Sequence, residues 1–270
     1  MISEDFWCWS NLIHLRCQKR HLDSAILGLT CLIHWGAALE FNNIAAVLPK
    51  PNTYSGAQDF IDGTILVVDK PAGWTSFDVV NKLRYGIKRL TQIKRIKVGH
   101  AGTLDPLATG VLVVCTGKMT KQITTLIADD KEYTGTITLG GTTPSFDLET
   151  EIDKTFPVDH ITEELIEEAR LKFVGEIFQV PPIFSAKKID GKPAYKAARR
   201  GEEVKMRKTV VTVSELEFTK IEMPNLEFRM RCSKGTYVRS FANDFGQELQ
   251  SGAHLSLLRR TASGDYRIED

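Results

Sequence analysis

The chain is expected to fold as an α+β domain with a mixed, mostly antiparallel central sheet flanked by helices and loops. Three observations predict this. Short apolar or alternating runs mark strands, and they follow one another as hairpin-like neighbours. Segments with helical spacing are few, so strict βαβ alternation is missing. Of 270 residues, 42% are hydrophobic and 26% charged, which suits a folded core and excludes a wholly disordered chain.

The first sixty residues read apart from the rest. They hold Trp7, Trp9 and Trp35, and Cys8, Cys17 and Cys31 interleaved with His14, His21 and His34. Zinc ligands come in tight pairs, and these are too widely spread for a site. The apolar stretch Ala25–Leu39 has 15 residues, short of the roughly 20 that span a bilayer. Residues 1–60 are therefore read as an N-terminal extension of unknown role, ending in the loop-like Pro49–Gly56, and residues 61–270 as the functional domain. Five cysteines without a C-x-x-C pair signal no disulfide framework, and a cytoplasmic setting is expected.

Within the domain, Thr64–Val68 reads as a buried strand. Phe77, Val80, Leu83, Ile87 and Leu90 recur at helical spacing after the N-cap residues Thr75 and Ser76. Gly135–Leu139 is strand-like, and Glu163–Phe173 is an amphipathic helix with acids in its first turn. Leu226, Phe228, Met230 and Cys232 alternate with polar residues as in a half-buried strand. Phe241, Phe245 and Leu249 mark a last helix that stops at Ser251-Gly252.

Net charge is only +1, from 35 basic and 34 acidic residues, which at first argues against a nucleic-acid partner. Counting by window reverses that. Lys82–Lys97 holds seven basic residues and no acid; Ile183–Lys208 holds nine basic and three acidic. Between them, Pro144–Glu168 holds nine carboxylates and one lysine. Two basic blocks in one domain fit a polyanion, because each phosphate neutralised releases counterions.

The densest constellation is Gly99-His100-Ala101-Gly102-Thr103-Leu104-Asp105-Pro106-Leu107-Ala108-Thr109-Gly110-Val111-Leu112. Its glycines allow close backbone approach, Pro106 biases Asp105 toward extended geometry, and Asp105 is its one acid. Read alone it is a surface turn or a ligand loop. It is not a phosphate loop, since six residues separate Gly110 from Gly117 and Met119 follows Lys118.

This loop resembles the catalytic signature of the tRNA pseudouridine synthase B (TruB) family. Val67–Ser76 is similar to the family's N-terminal motif. Cys232–Ser240, Gly252-Ala253-His254 and Leu258-Arg259-Arg260 are similar to its C-terminal motif. The resemblance spans about Gly63 to Asp270, in the family's order. It implies the pseudouridine-synthase fold and isomerisation of the T-loop uridine of tRNA by a monomer, with no cofactor, metal or membrane.

Site residues follow from the resemblance one by one. Asp105 takes the catalytic position, as nucleophile at ribose or base or as partner in a glycal route. Tyr133, otherwise an ordinary strand aromatic, matches the tyrosine that stacks on the flipped uracil and takes part in proton transfer. Arg239 matches the arginine paired with the catalytic Asp, which would favour its charged form. Tyr237 and Leu258 match pocket residues, His100 an RNA contact, and Lys70 and Lys121 phosphate contacts. Lys187, Lys188, Lys192, Lys196, Arg199 and Arg200, with Tyr195, resemble the element that closes over the T arm.

Two departures stand out. The chain stops at Asp270, where many family members continue into a small C-terminal RNA-binding domain; weaker grip on the tRNA acceptor end is expected. Pro144 stands where many relatives carry Asp, and the acidic segment after it is expected to be a poorly anchored surface strip without a catalytic role. The competing readings are a non-catalytic tRNA-binding or tRNA-folding protein, and a glycoside hydrolase, which needs two carboxylates.

Overall fold

The computed structural model describes residues 46–47, 57–185, 187–189, 191–198, 200–202 and 206–268. The readings placed on residues 1–45 and on the loop-like Pro49–Gly56, and the expected RNA contact at Arg199, lie outside the described residues.

In chain order, the first part comprises β1 (Ala46–Val47), α1 (Ala57–Asp62), β2 (Ile65–Lys70), α2 (Ser76–Thr91), β3 (Val98–Ala101) and β4 (Thr109–Thr116). A 3-10 turn (Gly117–Gln122) and α3 (Ile123–Ile127) lead into β5 (Lys131–Leu139), followed by β6 (Gly141–Thr142), β7 (Lys154–Thr155), α4 (Glu163–Lys172) and β8 (Gly175–Gln179). The last part holds β9 (Lys188–Ile189), β10 (Lys192–Pro193), α5 (Ala194–Ala198), β11 (Thr209–Glu222), β12 (Asn225–Cys232), α6 (Val238–Glu248), β13 (Ala253–Ser263) and β14 (Tyr266–Arg267).

One sheet organises the chain, in the order β1-β2-β4-β13-β5-β12-β11-β8, with β3 added on β4 and β14 on β13. Its pairings are antiparallel except one: β4 and β13 run parallel, joined at Thr109–Arg259 and Gly110–Arg260. That seam unites two half-sheets, and the loop before β4 carries Asp105 directly beside it. The expected mostly antiparallel α+β architecture is the one observed.

Alternation explains the sheet's two faces. On β12, Leu226, Phe228, Met230 and Cys232 are buried while their neighbours face solvent, the pattern of a half-covered antiparallel strand. On β5, Tyr133, Ile137 and Leu139 point the same way. Helix α6 packs Phe241 and Phe245 against Phe228 and Phe218, with Phe173 closing the cluster at ring separations of 5.1–6.0 Å. Each such pair adds about 0.5–1.5 kcal/mol beyond its area burial.

Helix α2 begins where the sequence predicts. The Thr75 hydroxyl accepts from the Asp78 amide and the Asp78 carboxylate accepts from the Thr75 amide, a reciprocal box worth about 1 kcal/mol. Helix α1 crosses the expected boundary at residue 60, and Phe60 is buried in the main core. The domain's packing therefore starts upstream of Ile61.

The acidic segment after Pro144 differs from expectation. Its first turn is anchored, not loose. Thr143 and Ser145 hydroxyls both donate to the Asp147 carbonyl, at 2.7 and 3.1 Å, and the Leu255 amide donates to the Phe146 carbonyl at 2.9 Å. Phe146 is held at φ 64°, a left-handed conformation that bulky residues avoid. This kink turns Asp147 inward, where it is 4% exposed.

Candidate active site

The loop that carries Asp105 is clasped by the segment after β2. Ser76, in the first turn of α2, accepts from the Leu104 amide at 2.9 Å and donates to the Leu104 carbonyl at 3.1 Å. On the other side of Asp105, the Pro106 carbonyl accepts from the Gly73 amide at 2.8 Å and from Lys70 Nζ at 3.1 Å. Gly73 adopts φ 79° to do so, a conformation that costs glycine nothing. Both neighbours of Asp105 are thus fixed by one motif.

Lys70 is fully buried, and its ammonium also donates to the Pro71 and Trp74 carbonyls at 2.9 and 2.6 Å. All three protons of a lysine are then used. The expected phosphate contact at Lys70 is thereby replaced by a structural one, because the cation faces backbone oxygens and not solvent. Burial pulls its pKa down to about 8, while the Asp105 charge works the other way.

Arg239 rises from the first turn of α6 to meet Asp105. Nη2 donates to Asp105 Oδ1 at 2.9 Å, and Nε lies 2.9 Å from Oδ2 as an ion-pair contact outside hydrogen-bond geometry. The guanidinium is 3% exposed and the Asp105 side chain 34%, so the carboxylate has an open side and the arginine does not. The Ser145 and Phe184 carbonyls accept from the remaining fork, each at 3.0 Å. Asp147 Oδ2 approaches Nε to 3.5 Å. One buried cation therefore serves two carboxylates. Burial raises the Asp105 pKa, Arg239 opposes that rise, and Asp147 adds to it.

Asp147 is the site residue that sequence reasoning missed. Its signal was slight: an acid following Thr, Ser and Phe in a segment whose other carboxylates are exposed. Gln179 was missed as well. It is buried, accepts from the Tyr237 amide at 2.7 Å and donates to the Tyr237 carbonyl at 3.0 Å, clasping the residue that starts α6 and so aiming Arg239.

Tyr133 on β5 is buried, and its phenol is pushed up in pKa by burial; Arg260 is the chief opposing influence and Asp105 adds to the rise. Leu258, on β13 beside the seam, is buried, and its carbonyl faces the Thr109 hydroxyl at 3.4 Å. The Tyr237 phenol is likewise raised by burial, with Asp105 and Arg239 both felt there. His100 on β3 has its pKa lowered by burial and by Arg260, which favours the neutral ring.

The basic blocks lie mostly at the surface. Lys88, Arg89, Lys94, Arg95 and Lys97 are exposed, and so are Lys121, Lys196, Arg200, Arg207 and Lys208. Arg200 is met by Glu202 at 2.6 Å. Lys187 is half-buried, and Lys188 and Lys192 lie on the small β9–β10 pair. Among the described residues no cluster of His, Cys, Asp and Glu is placed to hold a metal ion, and no helix is long and apolar enough to cross a membrane.

The fold is that of a pseudouridine synthase. The chain is similar to a chain of a Cbf5-Nop10-Gar1 complex, at 28% identity and a TM-score of 0.58, covering 83% of this chain and 59% of that one. It is also similar to one in an H/ACA RNP bound to a substrate RNA containing 2′-deoxyuridine, at 26% identity and a TM-score of 0.55. The chain thus spans a little under three fifths of those chains.

More particularly, the chain belongs to the TruB family: the model of the TruB family pseudouridylate synthase N-terminal domain matches residues 88–238. The tRNA pseudouridine synthase B of Phocaeicola vulgatus is 55% identical over 212 residues, covering 78% of this chain and 90% of that protein. That of Flavobacterium johnsoniae is 53% identical over 214 residues, covering 79% and 93%.

Proposed function

We propose that the chain isomerises a uridine of tRNA, the one in the T loop, to pseudouridine. The observation that carries this is the Asp105–Arg239 pair, a carboxyl group with one open side, locked from behind by a buried guanidinium and flanked on both backbone sides by fixed carbonyls. The reaction breaks the N1–C1′ bond, turns the uracil over, forms C5–C1′, moves a proton from C5 and places one on N1. It is redox-neutral and needs a nucleophile or base beside C1′, which Asp105 supplies without cofactor or metal.

The target base must leave its stack to reach a site this recessed, at a cost of a few kcal/mol. Tyr133 and Leu258 are the surfaces against which a flipped uracil would lie, and Tyr237 borders them. His100 is assigned to help hold the extruded conformation. The exposed lysines and arginines of both blocks supply phosphate affinity with little sequence content, and the 187–200 segment closes over the T arm. One copy of the chain provides every group named, which supports action as a monomer, and a tRNA substrate places the activity in the cytoplasm.

Tritium release from C5-labelled uridine in tRNA tests the reading. The wild type releases label and Asp105→Asn does not. A silent wild type sinks the isomerase reading, and an Asn variant of equal rate removes the nucleophile assignment.

A further inference from the structure

Two consecutive arginines on β13 meet opposite fates. Arg259 lies across from Thr134 and holds Asp69 in a two-pronged ion pair, Nη1–Oδ1 2.9 Å and Nη2–Oδ2 2.7 Å. Arg260 lies across from Tyr133 and is 1% exposed. Its Nε donates to the Val111 carbonyl at 2.7 Å and Nη2 to the Gly102 carbonyl at 3.1 Å. Among the described residues no carboxylate comes within ion-pair distance of it. Gly102, at φ 94°, is placed so that an added Cβ would lie 3.4 Å from Nη1, so the signature loop rests directly on this guanidinium.

Burying a charge without a counter-charge is costly, and the neighbouring residue shows that an acid could have been supplied. The position therefore asks for negative charge that appears only during turnover. Directly opposed residues of an antiparallel pair share a face, so the buried Arg260 side chain and the buried Tyr133 ring stand side by side on one face of the sheet. Around that phenol, Arg260 on β13 favours the ionised oxygen, whereas Cys232 on β12 and Asp105 in the loop disfavour it.

We propose that Arg260 is a positioning residue for Tyr133, fixing its phenol and stabilising the negative charge that its oxygen carries between two proton transfers. This rests on the isomerase reading above. In the first transfer the phenol O–H proton goes to uracil N1 as N1–C1′ breaks, leaving a phenolate. In the second, after C5–C1′ forms, that phenolate takes the proton from C5 and the phenol is restored. One proton has moved from C5 to N1, and no other reactant is needed. Arg260 touches neither base nor ribose in this scheme.

The test replaces Tyr133 with 2,3-difluorotyrosine, a more acidic phenol whose ionisation is read by ultraviolet absorption, in wild-type, Arg260→Gln and Arg260→Lys backgrounds. With ordinary tyrosine, Arg260→Gln lowers the single-turnover rate of tritium release by about 100-fold, the low end of a proton-transfer contribution, and leaves KM within about threefold. The fluorinated residue restores at least about tenfold of that loss, and in the Gln background its phenol ionises at higher pH than with Arg260 present. Arg260→Lys lies between. No rescue, or an ionisation unmoved by Arg260→Gln, overturns the proposal. Should the Gln variant not fold, the same two readouts in the Lys variant decide it. Should the wild type release no label, the isomerase reading fails, and the ionisation shift still tells whether Arg260 governs the phenol.

Discussion

Ser76 holds both backbone polar groups of Leu104, taking its amide at 2.9 Å and reaching its carbonyl at 3.1 Å. The residue before the reactive carboxylate is thereby tied to the first turn of a capped helix. Ser76→Ala leaves a buried N–H and a buried C=O without partners, at about 1–3 kcal/mol each. Urea denaturation should register a loss on the order of 3 kcal/mol. Label release should fall further than the folded fraction does, because a misplacement of about 1 Å can cost roughly 100-fold. Rates that track folded fraction alone would mean that the clasp is only structural.

The two neighbours of Asp105 predict opposite shifts in its pH behaviour. Burial holds the Asp105 carboxyl above the ordinary carboxylate range, so kcat/KM should climb with pH through a limb displaced upward from that range. Asp147 raises that pKa and Arg239 lowers it. In Asp147→Asn the limb should therefore move to lower pH. In Arg239→Gln it should move to higher pH, and the plateau should drop as well. Limbs that shift in the same direction in both variants would contradict this electrostatic account.

Gly110 sits at φ 98°, and a Cβ there would fall 2.1 Å from the Arg260 carbonyl oxygen. Gly110→Ala must open the seam between β4 and β13 or abandon the backbone conformation. Overpacking of about 1–3 kcal/mol and a left-handed alanine of about 1–2 kcal/mol together predict a strong fall in thermal midpoint. A melting curve like that of the wild type would show the seam to be pliable.

Affinity for a T-arm stem-loop should fall steeply as salt rises. Neutralising Lys187, Lys188 and Lys192 should flatten the log–log slope by about 2, since each phosphate contact contributes about 0.7–0.9. Titration by fluorescence anisotropy at several salt concentrations measures it; an unchanged slope would leave these lysines without a phosphate role.

Local features were legible where the physics is local. Thr75 and Ser76 announced a helix start before the periodic run from Phe77, and the alternation from Leu226 to Cys232 announced a half-buried strand. The reactive pair was not legible that way. Asp105 and Arg239 are 134 residues apart, and no spacing rule joins them; only the likeness of three motifs to a family did. Lys70 was read as a phosphate contact from the resemblance alone; two of its carbonyl partners, Pro71 and Trp74, are local, and the third, Pro106, arrives only when the loop around Asp105 folds over it. Asp147 was overlooked because its inward aim depends on the left-handed turn at Phe146, which nothing in that residue's chemistry favours.

The parallel seam has a kinetic consequence. Bringing Thr109 and Gly110 to Arg259 and Arg260 closes a chain segment of about 150 residues, the widest separation of any strand pairing in the sheet. Contacts that distant are intrinsically slow to form, whereas hairpins such as β11–β12 need almost no search. Until the seam closes, the loop of Asp105 lies on one piece of the sheet and the guanidinium of Arg260 and the phenol of Tyr133 on the other. Catalytic competence is then the last property the refolding chain regains, and turnover becomes a readout of completed topology that circular dichroism, saturating earlier, would miss.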